Sequence, residues 1–337
     1  MLADRLALYE QLEQSRNSKL LVYITGDRPN MGTQIDTDIL SFLTNHLDLI
    51  GDVEKISLFL YTRGGNTLAA WTIVNLIRNF CKDFEVIIPF NCHSSGTLIS
   101  LGANRIVMTK QATLGPIDPS VNGPLNPSAP GVPGNPKVPV SVEFINGYLE
   151  MAKTELNITD QVNLTNILLN LSSQIHPLTL GQVYKSKSQI QMLAKRLIKY
   201  QELEEAQRDE IIKFLCSESG SHDYTLHRNE ALEIGLKIEK PTEELYQIIK
   251  QIHNDIEKEL QLNDPFDPKV LLATSTTHTY NLRRALLESR TGGCDVFVSE
   301  GTMTKQVIAN PAAPIGTPPQ TIYQDNRQFE GWKHQTI

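Results

Sequence analysis

The chain has 337 residues, 40% of them hydrophobic, and carries 31 basic against 38 acidic side chains for a formal charge of −7. That length allows one large domain or two small ones, and the apolar share supports a proper core. Mild acidity and the lack of a Lys/Arg run argue against a general nucleic-acid binder.

MLADRLALYEQLEQSR, within residues 1–18, alternates charged and apolar residues at helical spacing. It lacks the continuous apolar stretch of a signal peptide. It is expected to be an amphipathic helix that packs on the body, on a partner or against a membrane surface. LLVYIT (20–25), ISLFLYT (56–62), FEVIIPF (84–90) and RIVMT (105–109) read as strands. TDILSFLTNHLDLI (37–50) and LAAWTIVNLIRNF (68–80) lie between them as helices, the first capped by Asp36 or Thr37. Strands alternating with helices imply parallel pairing and an α/β core. Residues 115–139 are dense in Pro and Gly and cannot hold a helix. Helical patterns dominate from about Val142 to Leu215, where an oligomerisation region is expected. EALEIGL (230–236) is a short helix, and PTEELYQIIKQIHNDIEKEL (241–260) is amphipathic. The expected division is a helix over 1–18, a catalytic unit over 19–240, a helical and α/β extension over 241–295 and an extended tail over 296–337. The four cysteines, Cys81, Cys92, Cys216 and Cys294, form no CxxC and no zinc spacing. No metal and no cofactor is therefore expected, and reduced thiols point to the cytoplasm. No apolar run approaches the ~20 residues that span a bilayer.

Two loops carry the chemistry. TRGGN (62–66) ends a strand on Gly64 and Gly65, and HSSG (93–96) sets Ser94 and Ser95 between a strand and a short helix. A serine hydroxyl needs a base, an orienting group and an oxyanion site to act as a nucleophile. The N–H after the nucleophile can bind an oxyanion, and a glycine lets a second N–H approach with no Cβ in the way. Each loop alone is ordinary turn or cap chemistry. The series strand–GGN–helix–strand–HSSG–helix is more specific.

TRGGN, HSSGTLISLGANRIVMT (93–109), LGPIDP (114–119), IHPLTLG (175–181), SHDY (221–224), EALEIGL and FEGW (329–332) together resemble the serine dehydrogenase proteinase family. This is a Clp-fold serine peptidase family of the Clp/crotonase superfamily, related to signal peptide peptidase A, and the resemblance spans about residues 20–335. It implies stacked ββα units, a trimer-based homo-oligomer, and a nucleophile at the first serine of Ser-x-Gly. That is Ser94, with Gly65 and Ser95 as oxyanion donors and Gly64 beside them. Ser95 replaces the family's usual alanine and stays a minority candidate for the nucleophile.

The base is open. In Clp peptidases a histidine follows the nucleophile by about two dozen residues, and ATLGPIDP (112–119) holds none. The triad acid lies seven positions before the Glu of the EAxxxGL helix, here Asp223, with His222 beside it. A Ser–Lys dyad is the other option, with Lys153 standing 153 − 94 = 59 residues after Ser94. Asp118 can line the site, although turn chemistry explains it equally well. His222 and His227 make no zinc motif. The chain has no GxxxxGK[ST] pattern, so ATP-independent peptide hydrolysis is the expected activity, with a peptide or protein as substrate. The rivals are a crotonase-type acyl-CoA enzyme using a carboxylate base such as Asp118, and a non-catalytic interaction protein on the same fold.

Overall fold

Residues 2–117, 120–132, 134–218, 223–308 and 320–335 are described in the computed structural model. Helix α1 (Leu2–Arg16) leads into β1 (Lys19–Thr25). A 3₁₀ turn opens α2 (Leu40–Ile50), followed by β2 (Val53–Tyr61), α3 (Thr67–Phe80) and β3 (Cys81–Ile88). Next come β4 (Asn91–Cys92), α4 (Ser95–Leu101), β5 (Arg105–Met108) and β6 (Thr113–Leu114). Across the Pro/Gly-rich segment, β7 (Ser120–Val121) pairs with β8 (Val140–Ser141). A helical arm follows: α5 (Val142–Glu150), a π-helical turn (Met151–Glu155), α6 (Gln161–Gln174), α7 (Pro177–Ile198) and α8 (Glu205–Lys213). The chain continues through β9 (Leu226–His227), α9 (Arg228–Glu233), β10 (Ile238–Glu239), α10 (Glu243–Leu260) and α11 (Pro268–Leu271). It closes on three long strands, β11 (Thr277–Ser289), β12 (Gly293–Ile308) and β13 (Gln320–Gln335).

The main sheet has the order β10-β5-β3-β2-β1-β11-β12-β13. Its first five strands are parallel, as the alternation of strands and helices predicts. They are nearly continuous apolar runs because both faces are covered. On one face Leu21, Tyr23, Leu58 and Leu60 meet α2, α3, α4 and α7. On the other, Leu20, Val22, Ile24 and Phe59 meet α1 and α10. The C-terminal segment is extended as paired strands: β11 lies antiparallel to β1, and β12 and β13 continue the sheet antiparallel.

The N-terminal helix is seated on the body. Its Arg5 is fully buried and donates to Glu288 at 2.5 Å and to Glu259 at 2.7 Å, which ties α1 to β11 and α10. Asn66 caps α3 by accepting from the N–H groups of Leu68 and Ala69, which fixes the residue that follows Gly65. The arm is different in kind. Helix α6 buries no residue and leaves Val162, Leu168 and Leu169 exposed. Among the described residues, no helix is long and apolar enough to cross a membrane.

Candidate active site

The two loops picked out in the sequence meet at the ends of β2 and β3. Beyond β2, Thr62 bridges to Cys92, donating its N–H to Asn91 O at 3.0 Å and accepting from His93 N–H at 3.0 Å. Its Oγ1 accepts from Gly64 N–H at 2.9 Å and from Thr25 Oγ1 at 2.6 Å, which starts the glycine turn. Both glycines have positive φ, +113° at Gly64 and +146° at Gly65. A Cβ on Gly65 would stand 2.2 Å from Ile35 O, and one on Gly64 would stand 2.7 Å from Ser94 Cβ. Only glycine fits either place.

Ser94 joins β4 to α4 with φ +51° and ψ −114°. This lies outside the left-handed helical region that Glu202 and Gln261 use at their helix ends. Such a backbone costs on the order of 1–3 kcal/mol and persists only where its surroundings fix it. Gly96 N–H donates to His93 O at 2.9 Å, Leu98 N–H donates to Ser94 O at 3.0 Å, and Gly64 lies against the Ser94 side chain. Gly96 lets α4 close on β2, since a Cβ there would meet the Thr62 methyl at 2.4 Å. A sharp strand-to-helix turn of this kind presents a serine hydroxyl outward. Ser94 is half-buried, and its Oγ makes no hydrogen bond among the described residues.

Ser95 has the opposite orientation. It is fully buried, and its Oγ donates to Gly65 O at 2.6 Å. That bond commits the hydroxyl and fastens the glycine turn to the first turn of α4. On its other side Gly65 is bridged to Ile35, with Ile35 N–H on Gly64 O at 2.8 Å and Asn66 N–H on Ile35 O at 2.7 Å. Ile35 thus takes the polar groups of Gly64 and Asn66, while Gly65 turns its own carbonyl to Ser95. Among the described residues, the N–H groups of Gly65 and Ser95 have no acceptor. An acyl oxygen developing negative charge needs two such donors.

Cys92, two residues before Ser94, is no rival nucleophile, because burial pushes its thiol up to about 12. His93 Nε2 is paired with Thr113 Oγ1 at 2.9 Å, and its ring lies against Gly115. Of the candidate bases, His222 lies outside the described residues, as does Asp118. Asp223 is exposed in a turn three residues before β9. Strand β9 pairs with β6, and β6 pairs with β4, so the segment after Asp223 enters the small sheet that leads into Ser94. Lys153 is exposed on the π-helical turn after α5, and no hydrogen bond joins it to Ser94 among the described residues. Sequence reading missed Thr62, Thr113 and Ile35. Thr62 was legible in principle, being the residue on which TRGGN opens. Ile35 sits in a loop with no motif and matters through its backbone.

The family expected from the sequence fits: residues 3–131 match the sequence model of the ClpP-like SDH-type serine proteinases. Two uncharacterized proteins of Methanocaldococcus jannaschii are similar. One is 29% identical over 198 residues, 58% of this chain and 58% of its own length. The other is 25% identical over 242 residues, 69% of this chain and 71% of its own. The chain thus spans little more than half the length of the first relative. Among solved structures, a mutant of the 1510-N membrane-bound stomatin-specific protease is 18% identical with a TM-score of 0.37, covering 68% of this chain and 85% of that one. ClpP1 from Listeria monocytogenes is 16% identical with a TM-score of 0.35, covering 71% of this chain and 99% of that one. Likenesses this loose say nothing about chemistry.

Proposed function

We propose that this chain, whose residues 3–131 match the ClpP-like SDH-type serine proteinases, is a peptidase of that kind and hydrolyses peptide bonds without ATP through Ser94. The observation that carries the reading is the strained Ser94 turn, whose hydroxyl is unbonded among the described residues and stands beside two N–H groups without acceptors. Ser94 Oγ attacks the scissile carbonyl and passes its proton to a base. The carbonyl oxygen becomes an oxyanion held by the Gly65 and Ser95 N–H groups. The tetrahedral intermediate collapses as the base gives its proton to the leaving amine. Water then releases the acyl group from Ser94 by the same route in reverse.

His222, oriented by Asp223, is the proposed base; the entry of the following segment into the Ser94 sheet supports it. Lys153 is the alternative. The apolar residues that α6 leaves exposed support assembly as a trimer-based homo-oligomer, and four buried cysteines with no disulfide among the described residues fit the cytoplasm. A fluorophosphonate probe tests the reading. The wild-type protein is expected to be labelled and the Ser94→Ala protein is not. No labelling of the wild type would favour the acyl-CoA or non-catalytic alternatives.

A further inference from the structure

Strand β11 carries a bulge: Arg283 pairs with Val298 and Ala285 with Phe297, which leaves Arg284 between them without a partner on β12. Bulges re-aim the residue they free. Arg284 is aimed at the loop that precedes the catalytic turn. Its backbone carbonyl accepts from Gly26 N–H at 2.9 Å and from Thr33 Oγ1 at 3.1 Å. Its guanidinium donates from Nε to Met31 O at 2.9 Å and from Nη2 to Gly32 O. The remaining nitrogen, Nη1, donates to Ser299 Oγ and to Glu330 Oε2, both at 2.8 Å. The side chain is only 11% exposed and lies over the Phe297 ring at 5.6 Å. Gly26 has no room for a side chain, since a Cβ there would stand 2.5 Å from Arg284 O.

The 26–33 loop is therefore held by two parts of the molecule. Its middle is tied to the segment before α11, through Arg28 Nε on Asp264 O at 2.7 Å and Phe266 N–H on Pro29 O at 3.0 Å. Its two ends, Gly26 and residues 31–33, rest on Arg284, and the second end runs on through Gln34 into Ile35. Ile35 then sets the Gly64–Gly65 turn through the two bridge hydrogen bonds described above. Hydrogen bonds connect Glu330 on β13 to Arg284 and Arg284 to residues 31–33; the chain then runs through Gln34 to Ile35, whose two hydrogen bonds flank Gly65.

We propose that Arg284 is a positioning residue for hydrolysis: braced by Glu330 and Ser299, its guanidinium fixes the loop that sets the Gly65 N–H against Ser94. This rests on Gly65 being an oxyanion donor. It gives the C-terminal β-extension, which lies outside the sequence-model match over residues 3–131, a task in the active site. Glu330 belongs to the FEGW stretch, and Trp332 two residues later packs against Phe42 and Tyr23 at ring distances of 6.0 and 6.3 Å. The stretch thus anchors the end of the strand that braces Arg284.

The test uses the full-length protein and three substitutions. Arg284→Met keeps the aliphatic stem and removes every donor, Arg284→Lys restores one, and Glu330→Gln keeps shape while weakening the brace. Two quantities are measured. The first is amide hydrogen exchange in peptides containing residues 33–36 and 64–67, with peptides from β3 as the control. The second is the kcat and KM of peptide hydrolysis. Arg284→Met is expected to raise exchange at Ile35 and Asn66 about ten-fold while the β3 amides stay protected. A misplaced donor lowers kcat roughly 10- to 100-fold, with KM within about two-fold. Arg284→Lys should recover part of the loss, and Glu330→Gln should show a smaller change of the same kind. Should Arg284→Met not fold, Glu330→Gln alone decides. Unchanged exchange at Ile35 and Asn66 in the folded variants would overturn the proposal. So would a fall in kcat together with loosening of the β3 amides, which would mean general destabilisation. The exchange measurement does not need activity: raised exchange in a protein that never hydrolyses peptides would sink the hydrolytic reading and leave the clamp standing.

Discussion

Two serines of this molecule stand in opposite situations. Ser289, at the end of β11, has what a hydrolytic triad is usually recognised by. Its Oγ is 2.7 Å from His46 Nδ1, and His46 Nε2 is 2.9 Å from Asp295. Asp295 is shared with His334 at 2.9 Å, and Ser289 Oγ also accepts from Gly292 N–H at 2.8 Å. Yet Ser289 and His46 are each 1% exposed, and Gly292 presses on the imidazole so closely that a Cβ would stand 2.3 Å from Nδ1. No substrate carbonyl can reach that hydroxyl, and every polar group in the cluster is satisfied. Ser94 has the reverse: an unbonded hydroxyl, a strained backbone and two N–H groups without acceptors among the described residues. The difference lies in access: the Ser289 cluster is closed as well as hydrogen-bonded, which makes it a structural clasp. A site for chemistry keeps capacity open for a substrate.

The largest effect expected from this contrast is at Ser94. Ser94→Ala should lower peptide hydrolysis by roughly 10⁴-fold or more with an unchanged thermal midpoint. Retained hydrolysis would mean that the open site is not the working one. Next in size is the base. General-base assistance contributes roughly 10²- to 10⁴-fold, so His222→Ala should lose that much while Lys153→Ala, at an exposed position, should be nearly silent. The reverse pattern would identify a Ser–Lys dyad.

The clasp should answer in stability alone. Ser289→Ala leaves His46 Nδ1 and Gly292 N–H without a partner, which costs about 1–3 kcal/mol, and probe labelling should be as in the wild type. Lost labelling in a folded Ser289→Ala protein would break the contrast at its other end. The smallest change expected in activity is at Glu85, which belongs with the closed clusters. Burial alone would raise its carboxyl, but hydrogen bonds from Arg16, Lys55 and Ser57 outweigh that and bring it down to about 2. A carboxylate depressed on folding stabilises above its unfolded value of 4.5, and that contribution disappears as pH falls towards 2. Glu85→Gln should therefore cost about 3 kcal/mol at pH 7, and the gap to the wild type should close between pH 4.5 and pH 2 in denaturant titrations. A gap independent of pH would assign the loss to packing.

The parallel half of the fold was legible because buried parallel strands are bare apolar runs, and LLVYIT and FEVIIPF say so directly. The antiparallel half was less so. Residues 320–335 are mostly polar and exposed, and QTIYQDNRQFEGWKHQ reads as an extended tail until its pairing with β12 is known. At the site, the two glycines were legible because φ angles above zero and the close approach of Gly65 to Ile35 leave their mark on residue type, and Ser94 was legible through the HSSG motif between a strand and a helix. The backbone of Ser94 itself was not, since any serine can be written there. Ile35 and Arg284 were hidden for a different reason: one acts through its peptide groups and the other across some 250 positions of sequence, and neither leaves a local pattern.

The most direct test of Ser94 as nucleophile is a crystal structure of the protein after reaction with a fluorophosphonate. The expected result is phosphorus bonded to Ser94 Oγ with one phosphonyl oxygen about 3 Å from both the Gly65 and Ser95 nitrogens. An adduct on another serine, or a phosphonyl oxygen turned away from both N–H groups, would contradict it.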